Sequence, residues 1–146
     1  MVIKHRLIYL MASVISLFTG ILCYYILRDF NMIFFKIFKI KITYANIHIS
    51  DNLITYFLKY NLCDGLWLLS GILFLRFIWS NSPETGNYYI IIFIGIALLL
   101  ELLQLIENFP GTFDIFDIFT MALFALVEHR INYFLSKRRQ KWVEIG

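Results

Sequence analysis

The chain has 146 residues, the length of one domain, of which 60% are hydrophobic and only 16% charged. That is too little charge to coat a soluble globule of this size, and fifteen Phe, nine Tyr and three Trp exceed what a small soluble core needs. The net charge of +3 sits at the flanks of apolar stretches without an extended basic face, which argues against a nucleic-acid partner, and two cysteines exclude a disulfide-rich scaffold or a four-cysteine zinc site.

Lys4-His5-Arg6 precedes residues 7–27, a stretch of twenty-one residues without a charge. It can span a hydrocarbon core of roughly 30 Å. A cleaved signal peptide would have a shorter apolar region and end at a small-x-small site. This run ends in Leu22-Cys23-Tyr24-Tyr25-Ile26-Leu27, so it reads as an uncleaved first helix.

Residues 28–61 form a long first loop that does not span, because Lys36, Lys39 and Lys41 interrupt it. Alternation through 39–43, and again with switched phase through 46–50, suggests an extended ribbon lying on the headgroups, with a bulge or turn between. Ser50 or Asp51 then caps a short helix over 52–60. A second spanning helix is expected over about 62–79. Asn61 and Asp64 stand at its start, where the helix dipole favours negative charge. Arg76 and Trp79 stand at its far end, where an arginine snorkels and an indole meets the headgroups. Residues 81–87 carry turn signals. A third helix follows over about 88–106, and a fourth over about 114–135 after the Pro110-Gly111 turn. The expected architecture is all-α: a polytopic membrane protein with four transmembrane helices and an interfacial first loop.

Four spans place both termini on one side. With the termini in the cytoplasm, eight basic residues lie inside (Lys4, Arg6, Arg76, Arg130, Lys137, Arg138, Arg139, Lys141) and five outside (Arg28, Lys36, Lys39, Lys41, Lys59). The tight cluster after the last span carries the most weight, and both termini read as cytoplasmic. Abundant Ile, Phe, Asn and Lys suit an AT-rich bacterial genome, hence a bacterial cytoplasmic membrane.

The polar residues of the apolar segments gather at the outer rim: Asp64, Glu101, Gln104, Asp114 and Asp117. Glu101 and Gln104 share one helix face, as do Asp114 and Asp117, each pair being three residues apart. A hairpin at Pro110-Gly111 puts Gln104 level with Asp117 and predicts a hydrogen bond or a shared ligand between them. Glu101 would lie a turn deeper, about 7–8 Å inside the helix end at 1.5 Å per residue. A charge at the bilayer centre costs about 2.5–3.5 kcal/mol, so a carboxylate kept there calls for a reason. Capping accounts for Asp114, and is an alternative for Asp64. Interhelical hydrogen bonding is the alternative for Gln104. His48 and His129 lack metal-site spacing, no metal or cofactor is expected, and Cys23 and Cys63 read as unpaired.

Glu101-x-x-Gln104, followed by Thr112-Phe113-Asp114-Ile115-Phe116-Asp117, resembles the VanZ-like family of small bacterial membrane proteins. Its signature is E-x-x-Q on one helix and P-G-R-x-x-D-x-x-D leading into the next. Asp64-Gly65-Leu66-Trp67 resembles in part the G-D-x-L-W segment of a related group, with Cys63 in place of the glycine. The resemblance covers about residues 51–127. It implies roles for Glu101, Gln104, Asp114 and Asp117, and more weakly Asp64, an envelope location, and a link to glycopeptide resistance, teicoplanin above all. The family's turn arginine is absent here, since Thr112 follows Gly111, and Met121 and Phe124 replace its later Asn and Gly.

Two functions compete. One is a non-enzymatic protein that binds membrane lipid, or an amphiphilic or lipid-linked ligand, at the outer leaflet through Asp64, Glu101, Gln104, Asp114 and Asp117. The lysines and Phe34, Phe35 and Phe38 of the first loop would contact the surface. The other is an intramembrane enzyme with Glu101 and Asp117 as an acid/base pair on a lipid-linked substrate, two neighbouring carboxylates that cannot both ionise in low dielectric. The absence of an evident nucleophile or metal set favours the first. A proton or solute pathway is disfavoured because the inner halves of the helices look bare of polar residues.

Overall fold

The computed structural model describes residues 2–27, 52–107, 109 and 111–144, all in helices or the turns between them, with no strand among the described residues. The expected ribbon over 39–50 and the lysines and phenylalanines of the first loop lie outside the described residues. Helix α1 is Val2–Leu27, α2 is the short Leu53–Tyr56, and a π-helical turn, Phe57–Asn61, joins it to α3, Leu62–Ile78. Helix α4 is Pro83–Leu103 and α5 is Ile115–Glu144. Three stretches are long and apolar enough to cross a membrane: Arg6–Ile26, Ile54–Ile78 and Pro83–Leu103. Helix α5 carries Glu128, His129 and Arg130 midway along its length.

Several boundaries differ from the sequence reading for local reasons. Asn52 caps α2, its Oδ1 accepting the Thr55 N–H and the Thr55 hydroxyl, each at 2.8 Å, while Ser50 and Asp51 lie outside the described residues. The expected short helix over 52–60 is present, with Lys59 on it and its Nζ 5.3 Å from the Tyr60 ring centre, but it runs on without a break to Ile78. Helix α4 begins at Pro83, before the expected 88, because proline suits the first helical position, and Glu84 in that turn matches the dipole. It ends at Leu103 instead of 106. Gln104, Leu105 and Ile106 donate their N–H groups three residues back, to Glu101, Leu102 and Leu103, tightening the last turn. Helix α5 passes the expected end at 135 and continues to Glu144 through Lys, Arg and Gln, all good helix formers.

Helix α3 is the hub, packing on α1, α4 and α5, whereas α4 and α5 touch each other only lightly. The expected hairpin of two facing helices is therefore two helices laid against a third. Without water to drive apolar surfaces together, helices in a bilayer associate through close packing and interhelical hydrogen bonds, and small residues allow both. Ser13 of α1 donates to the Ser70 carbonyl at 2.9 Å and Ser70 donates back to the Ser13 carbonyl at 3.0 Å. Glycines admit neighbouring side chains along the rest of α3: the Phe93 ring fills the space a side chain at Gly71 would need, and Phe124 and Thr120 do so at Gly65. Leu68, Ile72 and Ile90 form the buried apolar centre, with Phe93, Met121 and Ala125 against it. Outward faces such as Ile91, Phe18 and Phe119 stay exposed, as suits contact with lipid.

The contacts also give directions. Arg6 lies over Phe77 and Ser13 meets Ser70, so α1 runs antiparallel to α3. Asn61 meets Asp117 and Arg76 meets Glu128, so α5 runs parallel to α3. Tyr9 of α1 donates to Asn132 of α5 at 2.9 Å, which brings the start of α1 and the later half of α5 to one end of the bundle.

Candidate functional site

At the opposite end, the start of α3, the end of α4 and the start of α5 converge. Asp114 is the N-cap of α5: its Oδ1 accepts the Phe116 N–H at 2.9 Å, as the sequence suggested. Its Oδ2 faces the other way, accepting the Tyr56 hydroxyl at 3.1 Å and Asn61 Nδ2 at 3.4 Å. One turn on, Asp117 is buried and its Oδ1 accepts Asn61 Nδ2 at 2.7 Å. The fully buried Asn61 amide thus bridges both carboxylates of α5 from the π-helical turn.

Glu101 is 94% buried by the fold (6% exposed) in the last turn of α4. Its Oε2 accepts Gln104 Nε2 at 2.8 Å and its Oε1 accepts the Asp114 N–H at 3.3 Å, linking α4 to the cap of α5. The expected partnership of Gln104 with Asp117 gives way to this arrangement. Because the helix tightens after Leu103, Gln104 folds back on Glu101, and Asn61 supplies the donor to Asp117. Gly111 makes room: its φ of +125° is the province of glycine, and a Cβ there would meet Gln104 Oε1 at 2.5 Å.

These side chains surround one cavity of about 470 Å³, lined by Tyr56, Tyr60, Asp64, Glu101, Gln104, Gly111, Thr112, Asp114, Asp117 and Met121. All five residues singled out from the sequence are among them, Asp64 from the first turn of α3. Four are carboxylates, and none of the lining residues is basic. Among the described residues no group of three His, Cys, Asp or Glu side chains is arranged to hold a metal ion.

Sequence reasoning missed Asn61 as a bridge and the two tyrosines as walls. Tyr56, Tyr60 and Asp64 recur every four residues, a spacing that could have marked one face. Cys23 and Cys63 are not joined in a disulfide.

Arg76 is the clearest correction. It does not snorkel: it is buried, its Nε 2.8 Å from Glu128 Oε1 on α5, its Nη2 3.5 Å from Glu128 Oε2, and its Nη1 donates to Asn87 Oδ1 on α4. The helices are therefore not bare of polar groups at this end. Beside the pair is a void of only about 20 Å³, bordered by Tyr9, Arg76, Trp79, Ser80, Pro83, Gly86 and Asn132.

No family model matches this chain, and neither a curated protein nor a solved structure gives a significant match.

Proposed function

We propose that this chain is a four-span protein of the bacterial cytoplasmic membrane, with both termini in the cytoplasm. In this reading it binds an amphiphilic or lipid-linked ligand at the outer leaflet through Asp64, Glu101, Gln104, Asp114 and Asp117, in the manner the VanZ-like resemblance suggests. One observation carries the reading: residues from three separate segments, picked out as polar groups in apolar surroundings and by the VanZ-like resemblance, line a single cavity. A cavity of this size accepts a headgroup, and ligand sites tend to be concave with a few convergent polar groups. The apolar flanks of the helices would hold the ligand's chains. A link to glycopeptide resistance belongs to the same proposal.

A second reading, an intramembrane enzyme with Glu101 and Asp117 as acid and base, draws support from the burial of both carboxylates beside the cavity. Membrane lipids from cells with and without the protein separate the two: a lipid species gained or lost favours catalysis, an unchanged profile favours binding. Teicoplanin susceptibility of the same strains tests the resistance link. For topology, a single cysteine at Ser82 should resist an impermeant maleimide in intact cells, and one at Glu107 should react. The reverse pattern would put the cavity on the cytoplasmic face.

A further inference from the structure

We infer that Arg76 carries α5 into the bilayer, its pairing with Glu128 making insertion of this last long helix conditional on α3. The inference rests on the four-span reading. Helix α5 has length enough to cross, but Glu128, His129 and Arg130 fall in its middle, and the stretches apolar enough to cross unaided lie in α1, α2–α3 and α4. A carboxylate entering hydrocarbon without a partner carries a heavy penalty, and ionisable groups within spans pair with one another. The partner is present: Glu128 is 3% exposed, held by two guanidinium nitrogens of Arg76, while the third joins Asn87 of α4. Both α3 and α4 precede α5 in the chain, so the arginine and its amide brace are in place before α5 arrives. The exposed His129 and Arg130 lie on other faces of the helix and do not share this pair.

The consequence reaches the cavity. Asp117 and Glu128 are eleven residues apart, about three helical turns, so they share the face of α5 that meets α3. A helix seated by Glu128 on Arg76 is also seated with Asp117 on Asn61. Arg76 is in this sense a positioning residue for the candidate site, at the far end of the seam.

The test uses the full chain with Cys23 and Cys63 replaced by serine and alanine, and Lys137→Cys as the only thiol, probed by an impermeant maleimide on intact cells. With Arg76 and Glu128 intact the thiol should be protected. In Arg76→Leu, α5 should stay outside and labelling should rise about tenfold or more. The double variant Arg76→Leu/Glu128→Leu, which removes the charge needing a partner, should restore protection, and so should the exchanged pair R76E/E128R. Mere damage to packing at position 76 would not be repaired by either. Protection that persists in Arg76→Leu overturns the inference while leaving four spans standing. Labelling with both residues intact overturns the reading of four spans with cytoplasmic termini, and the inference that rests on it. Should Arg76→Leu be degraded, the double variants decide: accumulation with a protected thiol supports the inference, and degradation of both overturns it.

Discussion

The seam between α3 and α5 has a polar cluster at each end, and the two differ in charge and in space. At one end Arg76 faces Glu128, cation to anion, braced by Asn87 beside a void of about 20 Å³. At the other end four carboxylates stand around about 470 Å³ with no basic residue on the lining. The first cluster is neutral and closed, with its hydrogen bonds spent on the protein. The second is open and gathers acidic groups without a basic partner, and its internal donors, Asn61, Gln104 and Tyr56, are neutral. Polar groups in an apolar layer either tie helices together or wait for a ligand. Balance and free volume distinguish the two cases here.

The largest stability effect is expected at the closed end. Glu128→Leu with Arg76 retained leaves an unpaired buried cation and should cost about 3–5 kcal/mol, whereas the double leucine variant should recover most of it. Thermal unfolding in a mild detergent compares them. Equal losses in the single and double variants would mean that charge balance is not what holds this end. Between the two ends, Gly65→Val would press on Phe124 and Thr120 and should cost about 1–3 kcal/mol, weakening both ends together. Asn61→Ala removes the donor bridging Asp114 and Asp117, and an interhelical hydrogen bond in a membrane is worth about 0.6 kcal/mol. A loss much above about 2 kcal/mol would recast the open end as a structural clamp.

The sharpest test of the comparison has the smallest effect on stability. Asp117→Asn keeps the oxygen that accepts from Asn61, and Glu101→Gln keeps one accepting oxygen for the Asp114 N–H while its new NH2 can donate to Gln104 once that amide turns over; both lose charge and should accumulate like wild type. If the open end is a site, both should nevertheless abolish the lipid or susceptibility phenotype of the protein. Normal accumulation with normal phenotype in both would leave a well-capped helix start and no site. Tyr56→Phe, at an exposed wall, should leave unfolding unchanged and affect only ligand affinity.

The open end was largely legible in the sequence because carboxylates in apolar runs stand out singly, without any knowledge of their neighbours. Asp114 could be assigned as a cap from its own spacing alone. What the sequence concealed was pairing. Gln104 and Asp117 were matched by counting from Pro110-Gly111, which assumes regular helix on both arms, and the tightened turn after Leu103 breaks that count. Arg76 and Glu128 stand fifty-two residues apart on separate helices, and no local pattern links them. The central place of α3 was equally hidden, since its Gly65 and Gly71 reveal their use only when Phe124 and Phe93 arrive. The tyrosines were overlooked because aromatic rings at the start of an apolar helix read as interface anchors, although they share their four-residue spacing with Asp64.

That turn, Phe57–Asn61, gives the protein a natural deletion experiment. A π-helical turn holds one residue more than the α-helical turn it replaces. Removing one residue from it would let the helix close up as ordinary α, with no break in the chain and no new loop. The extra residue is absorbed within that one turn, so the segment before the deletion would keep nearly the same facing relative to the segment after, whereas a deletion from a regular α-helical turn would swivel it by about 100°. Tyr56 would stay beside Asp114, and Asp64, Gly65 and the rest of α3 would keep their places. The turn is thus the one stretch of this wall from which a residue can be lost without turning the wall aside, provided that Asn61, which holds Asp117, is kept.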